Sequence, residues 1–260
     1  MKKVNRYLVV LLMLVQFVLA QSAEQKGLEI ATEADKRDTG FKDSQVEMEM
    51  VLRNKNGDES VRYIKNKTLE MKGDGDKSLV IFNKPRDVKG TAFLSFTHKT
   101  GPDDQWLYLP ALKRVKRIAS NNKSGPFMGS EFAYEDISSQ EIEKYTYKYI
   151  SDENTEGKKS FKIERYPTDK KSGYTKQVVW YDAEKYIPLK IEFYDRKESK
   201  LKTLVYKDYK QYKGKYWRAG IMDMVNHQTG KSTELKFKKY KFMNGFTSRD
   251  FDKNSLKRIR

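Results

Sequence analysis

From residue 45 onward the chain keeps a period of two. Val46, Met48, Met50 and Leu52 alternate with Gln45, Glu47, Glu49 and Val51, which predicts a strand with one apolar face. Asn56-Gly57 is a hairpin signal, the return strand runs near Val61–Met71, and Asp74-Gly75 marks the next turn. The same reading predicts strands near Ser78–Asn83, Thr91–His98, Gln105–Leu109, Lys113–Ala119, Lys144–Ser151, Ser160–Tyr166, Thr175–Tyr181 and Leu189–Tyr194. Three more are predicted near Leu201–Tyr209, Tyr216–Asn226 and Lys231–Phe242. Gly157, Gly173, Gly214 and Gly230 fall in the gaps between them. Consecutive antiparallel hairpins follow, giving a mainly β chain. A sheet of about 11 strands does not stay flat; it curls into a barrel or half-barrel.

Three segments depart from this period. Residues 22–40 place Leu28, Ala31 and Ala34 on one stripe before Gly40, which predicts a helix. Residues 121–140 contain Gly125, Pro126 and Gly129, which forbid a continuous strand. Ser130 is placed to cap a short helix carrying Phe132, Ala133 and Ile137. Such an insert either plugs the open end of a barrel or serves as a plain crossover. From Ser248 the chain predicts a frayed helix with a basic tail.

The N-terminus predicts a secretory signal peptide. Lys2, Lys3 and Arg6 precede an apolar run from Leu8 to Leu19, and Val18 and Ala20 fit cleavage after Ala20. The run is too short for a membrane span, which needs about 20 residues. Residues 1–20 are therefore read as signal and 21–260 as one domain in the periplasm. The absence of Cys excludes a disulfide framework, thiolate chemistry and a lipidated cysteine at the cleavage point. The formal charge is +17. Removing Lys2, Lys3 and Arg6 leaves +14. In an exported protein that charge suits an anionic membrane surface rather than nucleic acid, or it is simply the solvated outer face of a sheet.

Candidate chemistry is sparse. His98 and His227 are flanked by turn residues and lack partners at ligand spacing. Gly230-Lys231-Ser232-Thr233 ends like a phosphate loop, but Val225 stands where the first glycine belongs. Asp74-Gly75-Asp76 and Asp103-Asp104 lack the spacing of a calcium loop. The expectation is a non-enzyme with no cofactor and no metal. What remains is apolar and aromatic material, with 13 Phe, 17 Tyr and 9 Met. It either fills a solid core or leaves a hollow for hydrocarbon, and mobile Met side chains suit an adaptable wall. The candidate lining is Met48, Met50, Phe93, Trp106, Tyr108, Ile191, Phe193, Met222 and Met224 from strands, with Phe127, Met128 and Phe132 from the insert.

Three stretches carry a resemblance. They are Phe82-Asn83-Lys84-Pro85-Arg86-Asp87-Val88-Lys89-Gly90-Thr91-Ala92-Phe93-Leu94, the run from Asp103-Asp104-Gln105-Trp106-Leu107-Tyr108 to Ile118, and Gly125-Pro126-Phe127-Met128-Gly129-Ser130-Glu131-Phe132-Ala133-Tyr134-Glu135-Asp136. They resemble the LolA-like outer-membrane lipoprotein-sorting family, in the divergent branch found beside large export permeases. The match is densest over residues 79–137. The resemblance implies an incomplete antiparallel barrel, as in LolA and LolB, wrapped around short lid helices. It also implies a hydrophobic cavity for lipid or lipoprotein acyl chains, and no cofactor. The implied partners are an inner-membrane permease (RND or MMPL type) and an outer-membrane acceptor, with the protein itself a monomer. In the characterised carrier a cavity arginine ties down the lid; Arg53, Arg62 and Arg114 are the candidates for that role here. The alternative function is a non-catalytic accessory module that docks on an export permease through a basic face.

Overall fold

The structure, a computed structural model, describes residues 21–258. The predicted signal peptide lies outside the described residues. The helix α1 spans Ala23–Asp38, and the Ser22 hydroxyl caps it by accepting from the Gln25 N–H at 3.1 Å. Its buried stripe is Gly27, Ile30 and Ala31. Leu28, expected on that stripe, is 44% exposed. Close approach of backbones sets this rotation. A Cβ on Gly27 would meet the Lys148 carbonyl carbon and the Tyr149 nitrogen at 2.8 Å, so only glycine lets the helix lie against the sheet there.

Fifteen strands follow. The first six are β1 (Asp43–Arg53), β2 (Glu59–Leu69), β3 (Lys77–Lys84), β4 (Ala92–Phe96), β5 (Asp104–Leu109) and β6 (Arg114–Arg117). After an insert that includes the single-turn helix α2 (Tyr134–Ile137) come β7 (Tyr145–Thr155), β8 (Lys158–Pro167), β9 (Lys176–Asp182), β10 (Pro188–Tyr194) and β11 (Lys200–Lys207). The chain ends with β12 (Lys210–Tyr212), β13 (Tyr216–Arg218), β14 (Ile221–Asn226) and β15 (Ser232–Phe242). The strand predicted over 216–226 is two strands, because the chain breaks at Gly220, where a Cβ would press on the Asp208 carbonyl oxygen at 2.9 Å.

Thirteen strands form one antiparallel sheet in the order β6-β5-β4-β3-β2-β1-β15-β14-β11-β10-β9-β8-β7. Each strand pairs with its neighbour in sequence, apart from the skipped β12-β13 hairpin, and β1 pairs with β15. The first and last strands of the domain are thus joined in mid-sheet, and the sheet's two edges, β6 and β7, are neighbours in the chain. This is an incomplete barrel, open between β6 and β7.

Alternation along each strand sorts side chains to two faces. The inner face gathers residues from β5 around to β7, together with Ile30 and Ala31 of α1 and Phe127 and Phe132 of the insert, into one continuous core. On the outer face of β3, β4 and β5 a second core forms from Leu79, Ala92, Leu94 and Tyr108 against Phe251 and Leu256. The C-terminal segment, expected as a frayed helix, instead makes two 3₁₀ turns, Ser248–Phe251 and Lys253–Arg258, and docks there. A small aromatic cluster of Phe41, Tyr216 and Phe242 ties the β12-β13 hairpin to the end of β15.

Candidate functional site

The opening between β6 and β7 is crossed by residues 118–144. Glycine and proline keep this segment out of the sheet, and its backbone turns sharply at Met128, with φ of 51°. Phe127 and Phe132 are buried, and the Phe127 ring lies 5.9 Å from Phe82, 5.3 Å from Phe93 and 5.5 Å from Tyr134. The helix predicted from Ser130 begins later, at Tyr134; the Asp136 carboxylate accepts from the Ala133 N–H at 2.7 Å. Ser130 instead donates its hydroxyl to the Phe127 carbonyl at 2.7 Å.

Polar contacts fasten this segment to strands all round the sheet. Arg62, on β2, donates from Nη1 to the Met128 carbonyl. Burial pushes its guanidinium below the usual arginine range, with Asp87 opposing. Of the other two arginines considered, Arg53 is engaged by Glu59 and Glu234, and Arg114 is exposed on the edge strand. Lys202 of β11 and Asp136 are buried, with side chains 4% and 7% exposed, and pair at 2.7 Å. Lys202 also donates to the Glu131 carbonyl at 2.8 Å, and the Tyr174 hydroxyl donates to Asp136 at 3.0 Å. The Glu131 N–H donates to the Thr233 hydroxyl at 3.0 Å, while Asn226 donates to the Glu131 carboxylate at 2.7 Å. Burial raises the Glu135 carboxyl, opposed by N–H donation from Gly173 at 2.8 Å. Towards the other edge, Gln105 donates to the Ser138 hydroxyl at 2.7 Å.

The lower part of the seam is held by charge rather than by strand pairing. Lys144 pairs with Asp103, Lys99 with Glu143 at 3.7 Å, and Lys123 with Asp169 at 2.6 Å. These groups line a cleft of about 500 Å³ that also reaches Gln105 and Ile118. A second cleft of about 630 Å³ lies on the far side of the segment, between Glu131–Ala133 and the turns at Asp195–Lys197 and Gln228. The crossing segment therefore has open space on both flanks.

Ten of the twelve residues expected to line a hollow meet on the inner face: Met48, Met50, Phe93, Phe127, Phe132, Ile191, Phe193 and Met224 in the core, with Met128 and Met222 packed against it. Trp106 and Tyr108 do not. They belong to the outer cluster, under Phe251 and Leu256, and their neighbours Leu107 and Leu109 face inward instead. Both faces of β5 are apolar and covered, so alternation there identifies two faces without saying which is inner. Of the polar residues that hold the insert, Lys202, Asn226 and Thr233 escaped the sequence reading, although each alternates in register with inward apolar neighbours, whereas Arg62 is one of the three arginines that reading singled out. Neither histidine builds a catalytic arrangement: His98 lies against Asp74 at 2.7 Å and Asp104 at 3.4 Å, and His227 against the Thr203 hydroxyl at 2.7 Å. Among the described residues no group of His, Cys, Asp and Glu is placed to hold a metal ion, and no helix is long and apolar enough to cross a membrane.

Residues 74–258 match a family model described as "uncharacterized protein". A candidate outer membrane lipoprotein-sorting protein domain from Vibrio parahaemolyticus is 61% identical, covers 90% of this chain and 99% of its own, and superposes with a TM-score of 0.89. The chain belongs to the LolA-like lipoprotein-sorting family, in a divergent branch. A DUF1329 family protein from Desulfovibrio piger is 27% identical over 90% of this chain and 99% of its own, with a TM-score of 0.85. A LolA superfamily protein from Nitrosomonas europaea shares the fold, at 20% identity, over 88% of this chain and 98% of its own, with a TM-score of 0.71. No curated protein matches the chain. In this LolA-like chain Arg62, alone of the three candidate arginines, donates to the crossing segment, at the Met128 carbonyl.

Proposed function

We propose that this protein is a periplasmic carrier that takes lipid or lipoprotein acyl chains from an inner-membrane permease and delivers them to an outer-membrane acceptor, after removal of residues 1–20. The observation that carries the reading is the lid. Phe127 and Phe132 fill the inner face of an incomplete barrel from a segment that is not part of the sheet. An apolar plug of this kind exchanges with hydrocarbon at little net cost, because chain and plug bury similar surface. The lid's fastenings are hydrogen bonds and ion pairs, which break one by one without unravelling strands. Surface ion pairs such as Lys99–Glu143 hold the seam by about 0–1 kcal/mol each. The strong positive charge supports docking on anionic leaflets at either end of the journey.

The chain has no cysteine, so a single engineered disulfide tests this directly. With Ser95→Cys and Ser138→Cys, whose hydroxyl oxygens lie 3.0 Å apart and join β4 to the crossing segment, oxidised to each other, delipidated protein is expected to lose binding of a fluorescent fatty acid, and reductant is expected to restore it. Unchanged binding by the locked protein, or no binding by the reduced protein and the parent chain, overturns the reading.

A further inference from the structure

Arg165 points to a charged subsite within the interior. It lies on β8 in the same alternation as Phe161 and Ile163, which face the inner core, and it is 7% exposed. Its Nε donates to Gln177 on β9 at 2.7 Å, and its guanidinium carbon stands 4.7 Å from the centre of the Tyr145 ring. The remaining four N–H groups of the fork find no acceptor among the described residues. The described side-chain atoms that are both sealed and unpartnered are Asn66 Oδ1 and Ser78 Oγ. The Arg165 Nη atoms are therefore not sealed by packed side chains and keep some accessible surface.

Tyr145, Tyr147, Tyr181 and Tyr206 stand close enough to act on the Arg165 charge. Burial raises all four phenols, Tyr145 to about 12, so they are neutral at ordinary pH. The two buried carboxylates on the lid are already engaged, Asp136 by Lys202 and Glu135 by the Ser172 hydroxyl and the Gly173 N–H. A buried cation without a counter-charge is costly. A planar fork with free N–H groups matches two oxygens of a carboxylate or phosphate.

We propose that Arg165 receives the oxyanion end, carboxylate or phosphate, of an amphiphile whose chain lies along the adjoining rung of Ile163, Val179 and Ile191. This rests on the acyl-carrier reading and narrows it: the cargo is an anionic lipid rather than a neutral acyl group.

The test is displacement of a fluorescent fatty acid from delipidated full-length protein by hexadecanoic acid, hexadecyl phosphate and hexadecanol, with acetate and inorganic phosphate as chain-free controls. One of the two anionic chains is expected to bind at least about tenfold more tightly than the alcohol, and whichever wins names the headgroup. Arg165→Gln should abolish that preference while leaving hexadecanol binding unchanged, and Arg165→Lys should restore part of it. Equal binding of all three chains by the parent protein overturns the headgroup site and leaves the carrier reading standing. No binding of any chain overturns both. Displacement by acetate or phosphate alone overturns the amphiphile in favour of a free anion. If Arg165→Gln does not fold, the comparison of acid, phosphate and alcohol in the parent protein decides.

Discussion

The barrel has two places where distant parts of the chain must meet, and they are solved differently. At β1 and β15 the meeting is a ladder. Nine residue pairs run from Ser44 opposite Phe242 to Arg53 opposite Ser232, interrupted once by a bulge near Gln45. Beneath it Met50, Leu235 and Met224 are buried. At β6 and β7 there is no ladder. A crossing segment with two buried aromatic rings, one buried ion pair, an arginine hydrogen bond and an exposed ion pair takes its place. The first junction is cooperative, since backbone pairs support one another and bury a shared face. The second is a set of separable contacts. On the carrier reading proposed above it is the part that opens, since it is joined to the sheet edges by no backbone ladder.

The sharpest way to break this contrast is Phe132→Asp. A carboxylate in the closed interior costs several kcal/mol, and the chain relieves that cost by swinging the lid out. Hydrogen exchange is expected to accelerate across 118–144 while amides of β1 and β15 stay protected, with loss of ligand retention. Equal acceleration in both would make Phe132 ordinary core. Met50→Ala attacks the other junction. It should remove about 2–5 kcal/mol of global stability in denaturant titrations, with lid and sheet exchanging together. Arg62→Met should loosen the lid by about 1.5–3 kcal/mol, read as faster exchange at Met128 and its neighbours, with little change in the midpoint of global unfolding. Lys99→Ala, which removes the exposed Lys99–Glu143 pair, is expected to cost under about 1 kcal/mol and to lose its effect in high salt, because a surface pair is screened. A ladder-sized loss there would show that the seam is structural after all.

The smallest expected effect is a pH dependence. Burial pushes the Asp76 carboxyl up to about 7, with Glu141 and Glu70 adding to the rise and the Met71 N–H opposing it. Its main-chain carbonyl accepts from Thr97, whose hydroxyl also donates to Glu141 on the lid segment. A carboxyl raised in the folded state holds its proton while the unfolded chain has lost it. Stability is therefore greatest below the ordinary aspartate value near 3.8 and declines as pH rises through about 7. Asp76→Asn should flatten that decline in thermal melts from acid to neutral pH. An unchanged slope would exclude Asp76 as its source.

Strand positions, turns and the insert were legible because each is a local pattern. Alternation at Val46–Leu52, Asn56-Gly57, and the Gly-Pro break at 125–126 all act within a few residues. The curled sheet followed from the same patterns, although thirteen strands form it rather than about 11, and ten of the twelve candidate lining residues do share one face. Trp106 and Tyr108 failed because strands covered on both sides carry no signal for which side is inner. Only the docking of Phe251 and Leu256 from the far end of the chain decides it. Leu28 failed for a related reason: the helix was rotated by the backbone of β7 meeting Gly27, a contact 121 positions away at Lys148.

By itself the sequence determined where most strands lie, that they pair with their neighbours, and that one segment cannot join them, since periodicity and turn chemistry are properties of short stretches. Tertiary structure alone decided which face closes inward, that β1 meets β15 while β6 and β7 stay apart, and that Arg62 reaches Met128 and Arg165 stands without a carboxylate. Those outcomes depend on which side chains arrive from distant positions to share a buried space, and burial is a property of the whole assembled chain.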